Sequence, residues 1–303
     1  MCTAVSFHSG EHYFGRTLDY GCGYGESVVI TPRRFPFRWR NGGVNDAHYA
    51  MIGVAHPTDT MPLYYDAVNE KGLCAAGLRF AESARYGKGA GERAVASFEW
   101  IPWVRSVAAS VEEARELLRG VTVTDEAFSA ELPPSPLHFL LADATACMTV
   151  EPVKEGLKLY DNPFGVLANE PPFPVMTAEM AARAPLSFGE HMPGDGTSPA
   201  RFARAYCARR DALAGQDEAE SVSQMFHVLG TVEQVAGCAR TGGVLDYRTR
   251  YTACCNAARG IYYYTTYHCR SVVSVELWGE EPEGTVPVGY PMLERGCVYR
   301  QNG

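Results

Sequence analysis

The amino-acid sequence predicts an α+β protein in which antiparallel sheets are covered by helices. Three observations carry that prediction. Short runs of β-branched and aromatic residues recur along the chain, helical patterns gather near residues 97–119 and 200–230, and 46% of the 303 residues are hydrophobic, enough to bury a substantial core.

In chain order, CTAVSF and YFGRTL read as the first two strands, with Ser9-Gly10 as the turn residues of a hairpin between them. SVVITP, HYAMIGVA, PLYYDAVN and LCAAGLRF follow as strands between residues 27 and 80. Asn69 and Glu70 fall in a turn between the last two, and turn geometry accounts for both. Ser110-Val-Glu-Glu opens a helix as a Ser-x-x-Glu capping box, with Val111, Ala114, Leu117 and Leu118 on one face. Pro133, Pro134 and Pro136 mark a loop, after which LHFLLAD, CMTVEP, LKLYD and GVLAN read as strands. A second loop, GEHMPGDGTSP at 189–199, precedes two helices, PARFARAYCARRDALAG and SVSQMFHVLG. GIYYYTTY and SVVSVEL close the series as strands. No repeat, low-complexity tract or clean linker divides the chain, so residues 1–303 are expected to form one domain.

Composition removes several function classes. A net charge of -8 lacks the basic footprint that nucleic acid requires, and an anionic substrate would need local arginines. Ser6, His8, Ser9 and Glu11 interrupt any signal-like apolar region, and no stretch reaches membrane-spanning length, so a cytoplasmic protein is expected. The ten cysteines are irregularly spaced and read as reduced and mostly structural. There is no GxSxG, HExxH, Walker A or Cys-x-x-Cys motif, and GKGAGE at 87–92 lacks the trailing Lys-Ser or Lys-Thr of a phosphate loop. Cys254 and Cys255 would face opposite ways in a strand, and the eight histidines show no ligand spacing, so neither metal nor cofactor is expected.

The chemistry begins at the N-terminus, MCTAVSFHSGEHYFGRTLDY. Small residues at position 2 usually allow the first methionine to be removed, so Cys2 would gain a free α-amine. That amine has a pKa of roughly 8, near the roughly 8.5 of a free thiol, so one residue can hold both nucleophile and base. With the turn at Ser9-Gly10, Cys2 lies within one position of Arg16, whose guanidinium would favour thiolate. Asp19 could hold the ammonium or a substrate donor, although residues three apart on a regular strand face opposite ways. These residues alone also fit an edge cysteine beside a surface Arg16–Asp19 ion pair.

Cys2, GRTLD at 15–19, NEKGLCAAGL at 69–78, GVLANEPPF at 165–173, PGDGTSPARF at 193–202 and TACCNAARGIYYYTTYHCRSVVS at 252–274 together resemble the choloylglycine hydrolase family. The resemblance spans nearly the whole chain in the right order. Its members are N-terminal-nucleophile amidases that include bile salt hydrolases and penicillin V acylases. The resemblance implies a four-layer αββα sandwich, with Cys2 as nucleophile, Arg16 and Asp19 as its supporting pair, Asn169 as the oxyanion-hole amide and Arg201 as the distant arginine of the site. Out of that context Asn169 reads as a turn or strand-end residue, and Arg201 as a solvated helix charge.

The position after AGL is Arg79, where bile-salt-cleaving relatives often carry asparagine and penicillin V acylases tyrosine. The family uses the backbone N–H of this residue in the oxyanion hole, and a backbone donor survives a side-chain change. A guanidinium there could attract the glycine carboxylate or taurine sulfonate of a conjugate, or obstruct the site. The aromatic PLYYDA and GIYYYTTY segments fit an apolar pocket or ordinary sheet core. The resemblance thus implies a cofactor-independent bile salt hydrolase acting on conjugated bile acids. A penicillin V acylase or N-acyl-homoserine lactone acylase is the alternative within the family, and a non-catalytic binder of amphipathic ligands the alternative outside enzymes. Assembly as a homotetramer is a further expectation from the family.

Overall fold

The computed structural model describes residues 1–88, 91, 93–182, 186–187, 191–241 and 244–302. Residues 89, 90 and 92 of GKGAGE and residues 189–190 of the second predicted loop lie outside these.

Alternation of side chains along the strands sorts the core into layers. Ile52, Val54, Cys74, Ala76, Leu78, Leu140 and Ala142 turn one way and pack with Cys2, Ala4, Tyr251 and Ala253. Their neighbours Met51, Ala55, Ala75, Phe139 and Leu141 turn the other way, onto Trp100, Ile101 and Val104 of helix α1 (Trp100–Val107) and Val111 and Ala114 of helix α2 (Val111–Leu117). A period of two therefore gives one sheet two buried faces.

That sheet has nine strands, in the hydrogen-bonded order Gly156–Asp161, Cys147–Val153, Leu137–Ala142, Cys74–Arg79, Asp66–Asn69, Met51–His56, Ser27–Thr31 and Val288–Pro291, with Leu63–Tyr64 beside Met51–His56. The second sheet has seven, in the order Val166–Leu167, Cys2–Ser9, Glu11–Tyr20, Val244–Asn256, Ile261–Thr266 and Val273–Glu276, with Ala239–Thr241 beside Val244–Asn256. All pairings within these two sheets are antiparallel. Helix α3 (Phe173–Ala182) packs beside α4 (Ser198–Asp211), and α4 and α5 (Glu218–Gly230) cover the outer face of the seven-stranded sheet. The result is the four-layer αββα sandwich that the resemblance implied.

The predicted helix starts are capped as their chemistry requires. Ser110 Oγ accepts from the Glu113 N–H at 3.2 Å, and Glu113 Oε2 accepts from the Ala109 N–H at 2.8 Å, one residue earlier than in a regular capping box. Helix α5 starts before the predicted SVSQMFHVLG because Asp217 caps it, accepting from the Glu220 N–H at 2.8 Å. The Asn69 turn is also found: Asn69 Oδ1 accepts from the Lys71 and Leu73 N–H groups at 3.1 Å each. The aromatic segments resolve as sheet core, since Tyr64, Tyr262 and Tyr264 are buried among other core residues.

Two elements depart from the sequence reading. Val244–Asn256, a central strand of the seven-stranded sheet, has no apolar run to announce it: buried Tyr247, Thr249 and Tyr251 alternate with half-buried Arg248 and Arg250. Helix α3 follows Pro171 and Pro172 and takes Pro174 into its first turn, and only Phe173 and Met176 of it are buried, too short a stripe to read as a helix.

Candidate active site

The first hairpin aligns the site. Gly10, at φ +71°, makes the turn alone, and Ser9 remains in the strand opposite Glu11. This corrects the predicted Ser9-Gly10 turn, and the one-residue slip matters. With both residues in the turn, Cys2 would lie opposite Thr17 and Arg16 would face the other way. Instead Cys2 lies opposite Leu18 and Ala4 opposite Arg16, so Cys2 and Arg16 are diagonal neighbours on one face.

That face looks into the space between the sheets. Arg16 is 1% exposed, and its Nη1 donates to the carbonyls of Tyr65 and Gly77, each at 2.9 Å. Asp19, fully buried, lies on the opposite face, where Thr249 Oγ1 donates to its Oδ1 at 2.6 Å. The strand does not end between Arg16 and Asp19, so they flank Cys2 from two sides and do not form the surface ion pair that the bare sequence also allowed. Burial raises the Asp19 pKa, and the charges of Arg201, the Met1 amine and Arg16 work against that rise, as does the Thr249 hydrogen bond.

Asn169 and Arg201 close the other side of Cys2. The Cys2 N–H donates to Asn169 Oδ1 at 2.8 Å, and Arg201 Nη2 donates to the same oxygen at 2.7 Å. Arg201 Nη1 donates to the Cys2 carbonyl and, at 2.7 Å, to Thr3 Oγ1. Asn169 is fixed at both ends, since its backbone N–H donates to Ser198 Oγ and its Nδ2 donates to the Arg79 carbonyl, each at 2.8 Å. Arg201 is fully buried in the first turn of α4, whose cap is Thr197, so it is not a solvated helix charge. The sequence predicted none of these supporting contacts from Thr3, Ser198 and Thr249. Ser198 and Thr249 lie in segments that carry the resemblance or border it, but their residue types alone gave no signal.

Met1 extends the first strand by one residue: its amine donates to the Asp19 carbonyl at 2.8 Å, and the Asp19 N–H donates back to the Met1 carbonyl at 2.9 Å. Burial lowers the pKa of that amine, Cys2 and Asp19 raise it, and Arg201 and Arg79 lower it further. The Arg79 backbone borders the site, because its carbonyl accepts from Asn169 Nδ2. The Arg79 side chain is exposed at the end of Cys74–Arg79, and among the described residues its guanidinium has no hydrogen-bond or ion-pair partner.

Two sheets between helical layers, with a buried cysteine on the first strand and amide and guanidinium groups converging on its backbone, define a cysteine hydrolase of the N-terminal-nucleophile class. Comparison with known proteins agrees. Residues 2–288 match the family described as linear amide C-N hydrolases, choloylglycine hydrolase family, and the chain belongs to that family. It is 41% identical to a bile salt hydrolase/transferase from Lactiplantibacillus plantarum, over 100% of both chains, and 29% identical to one from Clostridium perfringens over 94% of both. A solved structure of a conjugated bile acid hydrolase variant from Clostridium perfringens superposes with a TM-score of 0.90 at 28% identity, covering 99% of this chain and 100% of that one. The fold extends to a penicillin V acylase from Agrobacterium tumefaciens, with a TM-score of 0.78 at 20% identity over 91% of this chain and 86% of that one. Among the described residues no group of three or more His, Cys, Asp or Glu side chains is placed to hold a metal ion, and no helix is long and apolar enough to cross a membrane.

Proposed function

We propose that the protein cleaves the amide bond of glycine- or taurine-conjugated bile acids, with Cys2 as nucleophile. The observation that carries this reading is the clamp on Cys2: Asn169 Oδ1 on its nitrogen and Arg201 on its carbonyl. The printed names of the bile salt hydrolase relatives support the substrate class.

With Met1 removed, the Cys2 nitrogen becomes an α-amine already oriented by Asn169 Oδ1, 2.8 Å away. It takes the thiol proton, and the sulfur attacks the amide carbonyl. Arg16, buried on the same face, adds positive charge beside the developing thiolate. The oxyanion then receives an N–H from Asn169 Nδ2, which has one proton committed to the Arg79 carbonyl and a second to give, together with the Arg79 backbone N–H. Asp19 and Arg201 hold the N-terminal segment in register. The departing glycine or taurine nitrogen takes a proton from the ammonium of Cys2. Water resolves the thioester, or an acceptor amine does so, consistent with the "hydrolase/transferase" of the relatives' names.

The exposed Arg79 guanidinium supports an anionic leaving group, because a carboxylate or sulfonate gains a charge-assisted hydrogen bond there. The proposal includes a cytoplasmic homotetramer, for which sedimentation velocity is the test of assembly. The functional test is incubation with glycocholate, taurocholate and penicillin V, following amine release. Turnover of the two bile salts is expected; turnover of penicillin V alone would make the protein an acylase of that class, and no turnover would leave an amphipathic-ligand binder.

A further inference from the structure

Arg16 is not held by the residues that surround Cys2. Of its five N–H donors, those on Nη1 go to the Tyr65 and Gly77 carbonyls, both on the opposing sheet, and Nε donates to the Thr17 carbonyl at 3.3 Å. Nη2 has no hydrogen-bond partner and is buried. Beside the guanidinium lies Asp66, 4% exposed, with Oδ2 at 3.9 Å from Nε. Asp66 comes from the nine-stranded sheet and is gripped by two tyrosines of the seven-stranded one. Tyr251 donates its hydroxyl to Oδ2 at 2.8 Å, and Tyr262 donates to Oδ1. Both carboxylate oxygens therefore act as acceptors, and Oδ2 also faces the cation.

We propose that Asp66, oriented by Tyr251 and Tyr262, is a positioning residue for the reaction: it fixes Arg16 so that Nη2 is the corner left to face the Cys2 sulfur. The inference rests on the reading of Cys2 as nucleophile. Only an ionised carboxylate satisfies this place. An asparagine would turn an N–H₂ donor toward either a tyrosine hydroxyl or the guanidinium, leaving one buried donor without an acceptor. Charge balance agrees with the geometry. Burial works against charge at Arg16, yet its pKa is held above the ordinary value, and Asp66 is the carboxylate beside it that favours the cation. Burial likewise raises the Asp66 pKa, while Arg16, the two tyrosine hydroxyls and the Val54 N–H work to keep the carboxylate.

The test uses protein with Met1 removed and two readouts, glycocholate turnover and the rate at which iodoacetamide alkylates Cys2. Asp66→Asn is expected to lower kcat about tenfold or more with KM changed less than about threefold, and to slow alkylation by a similar factor. In the Arg16→Gln background the same substitution should have no further effect, because Asp66 acts through Arg16. The Tyr251→Phe/Tyr262→Phe pair keeps the ring packing and covers the case in which Asp66→Asn fails to fold; about a threefold loss in both readouts is expected. Normal kcat and alkylation in the folded tyrosine pair, or an Asp66→Asn loss that persists undiminished without Arg16, would overturn the proposal. Absence of bile-salt turnover by the parent would instead refute the substrate reading, and the alkylation comparison would still decide the role of Asp66.

Discussion

Asn169 serves two ends of one reaction, which makes it the sharpest single-residue test. Its Oδ1 orients the Cys2 nitrogen and its Nδ2 is proposed to meet the oxyanion, so Asn169→Ala should lower kcat by roughly a hundredfold or more, the effect of losing a donor worth about 3 kcal/mol in the transition state. A change confined to KM would make Asn169 a binding residue. Arg79 tests recognition instead of chemistry. Its backbone is unchanged in Arg79→Asn, so turnover should persist while the preference for conjugated bile acids over a neutral bile-acid amide narrows, measured as the ratio of kcat/KM values. An unchanged ratio would place the side chain outside the pocket. Cys2, Asn169 and Arg79 were picked out of the sequence by the ordered blocks of the family resemblance, since the N-terminal stretch on its own also fitted an edge cysteine. Asp66 was not, because an aspartate between strand residues looks like any turn or edge acid until Tyr251 and Tyr262 are brought to it across the sheets.

Among the elements, the hairpin carries most of the site, and Gly15 controls how closely it packs. A Cβ at Gly15 would sit 2.4 Å from the Ala253 carbonyl oxygen and 2.9 Å from both Cys254 Cβ and Met225 Cε. The first of these is backbone of the adjacent strand, so the sheet itself must move. Gly15→Ala is expected to destabilise the protein by about 1–3 kcal/mol, read as a lower urea midpoint, and to reduce activity because Arg16 moves with it. A variant as stable and active as the parent would show that the contact yields easily. Sequence reasoning placed this hairpin correctly but missed its register by one residue, since choosing between one and two turn residues depends on a glycine φ that composition does not reveal. It placed α4 correctly and overlooked Val244–Asn256 for a related reason. Much of that strand is polar, and its partners, among them Asp19 for Thr249, come from distant parts of the chain.

For the whole molecule, the resemblance implied the αββα sandwich and the strand and helix grouping favoured it, but the contacts of Asp66 with Tyr251 and Tyr262 between its sheets emerged only in three dimensions. That interior also gives stability a pH dependence. His12 is 3% exposed and shares a hydrogen bond of 3.0 Å with Ser6 Oγ; burial, then the neighbouring His8, pushes its pKa down to about 4. Because the unfolded chain takes up a proton near pH 6.5 and the folded one only near 4, stability is intact above 6.5 and falls as pH drops toward 4, by up to about 3 kcal/mol. Glu99, raised to about 7 chiefly by burial, opposes this over part of the same range, so the comparison must isolate His12. Urea unfolding of the parent and His12→Gln across that window should show the parent losing more stability on acidification. Equal losses would mean that His12 protonates freely in the folded state.

The central claim is that Cys2, freed of Met1, is the acylated nucleophile. Its most direct test is peptide mass spectrometry of a turnover mixture with glycocholate, quenched in acid. The N-terminal peptide should begin at Cys2 and carry a cholyl thioester on that residue, and the adduct should be absent from Cys2→Ser. Sustained glycine release by protein whose N-terminal peptide still begins at Met1 and carries no adduct would contradict it.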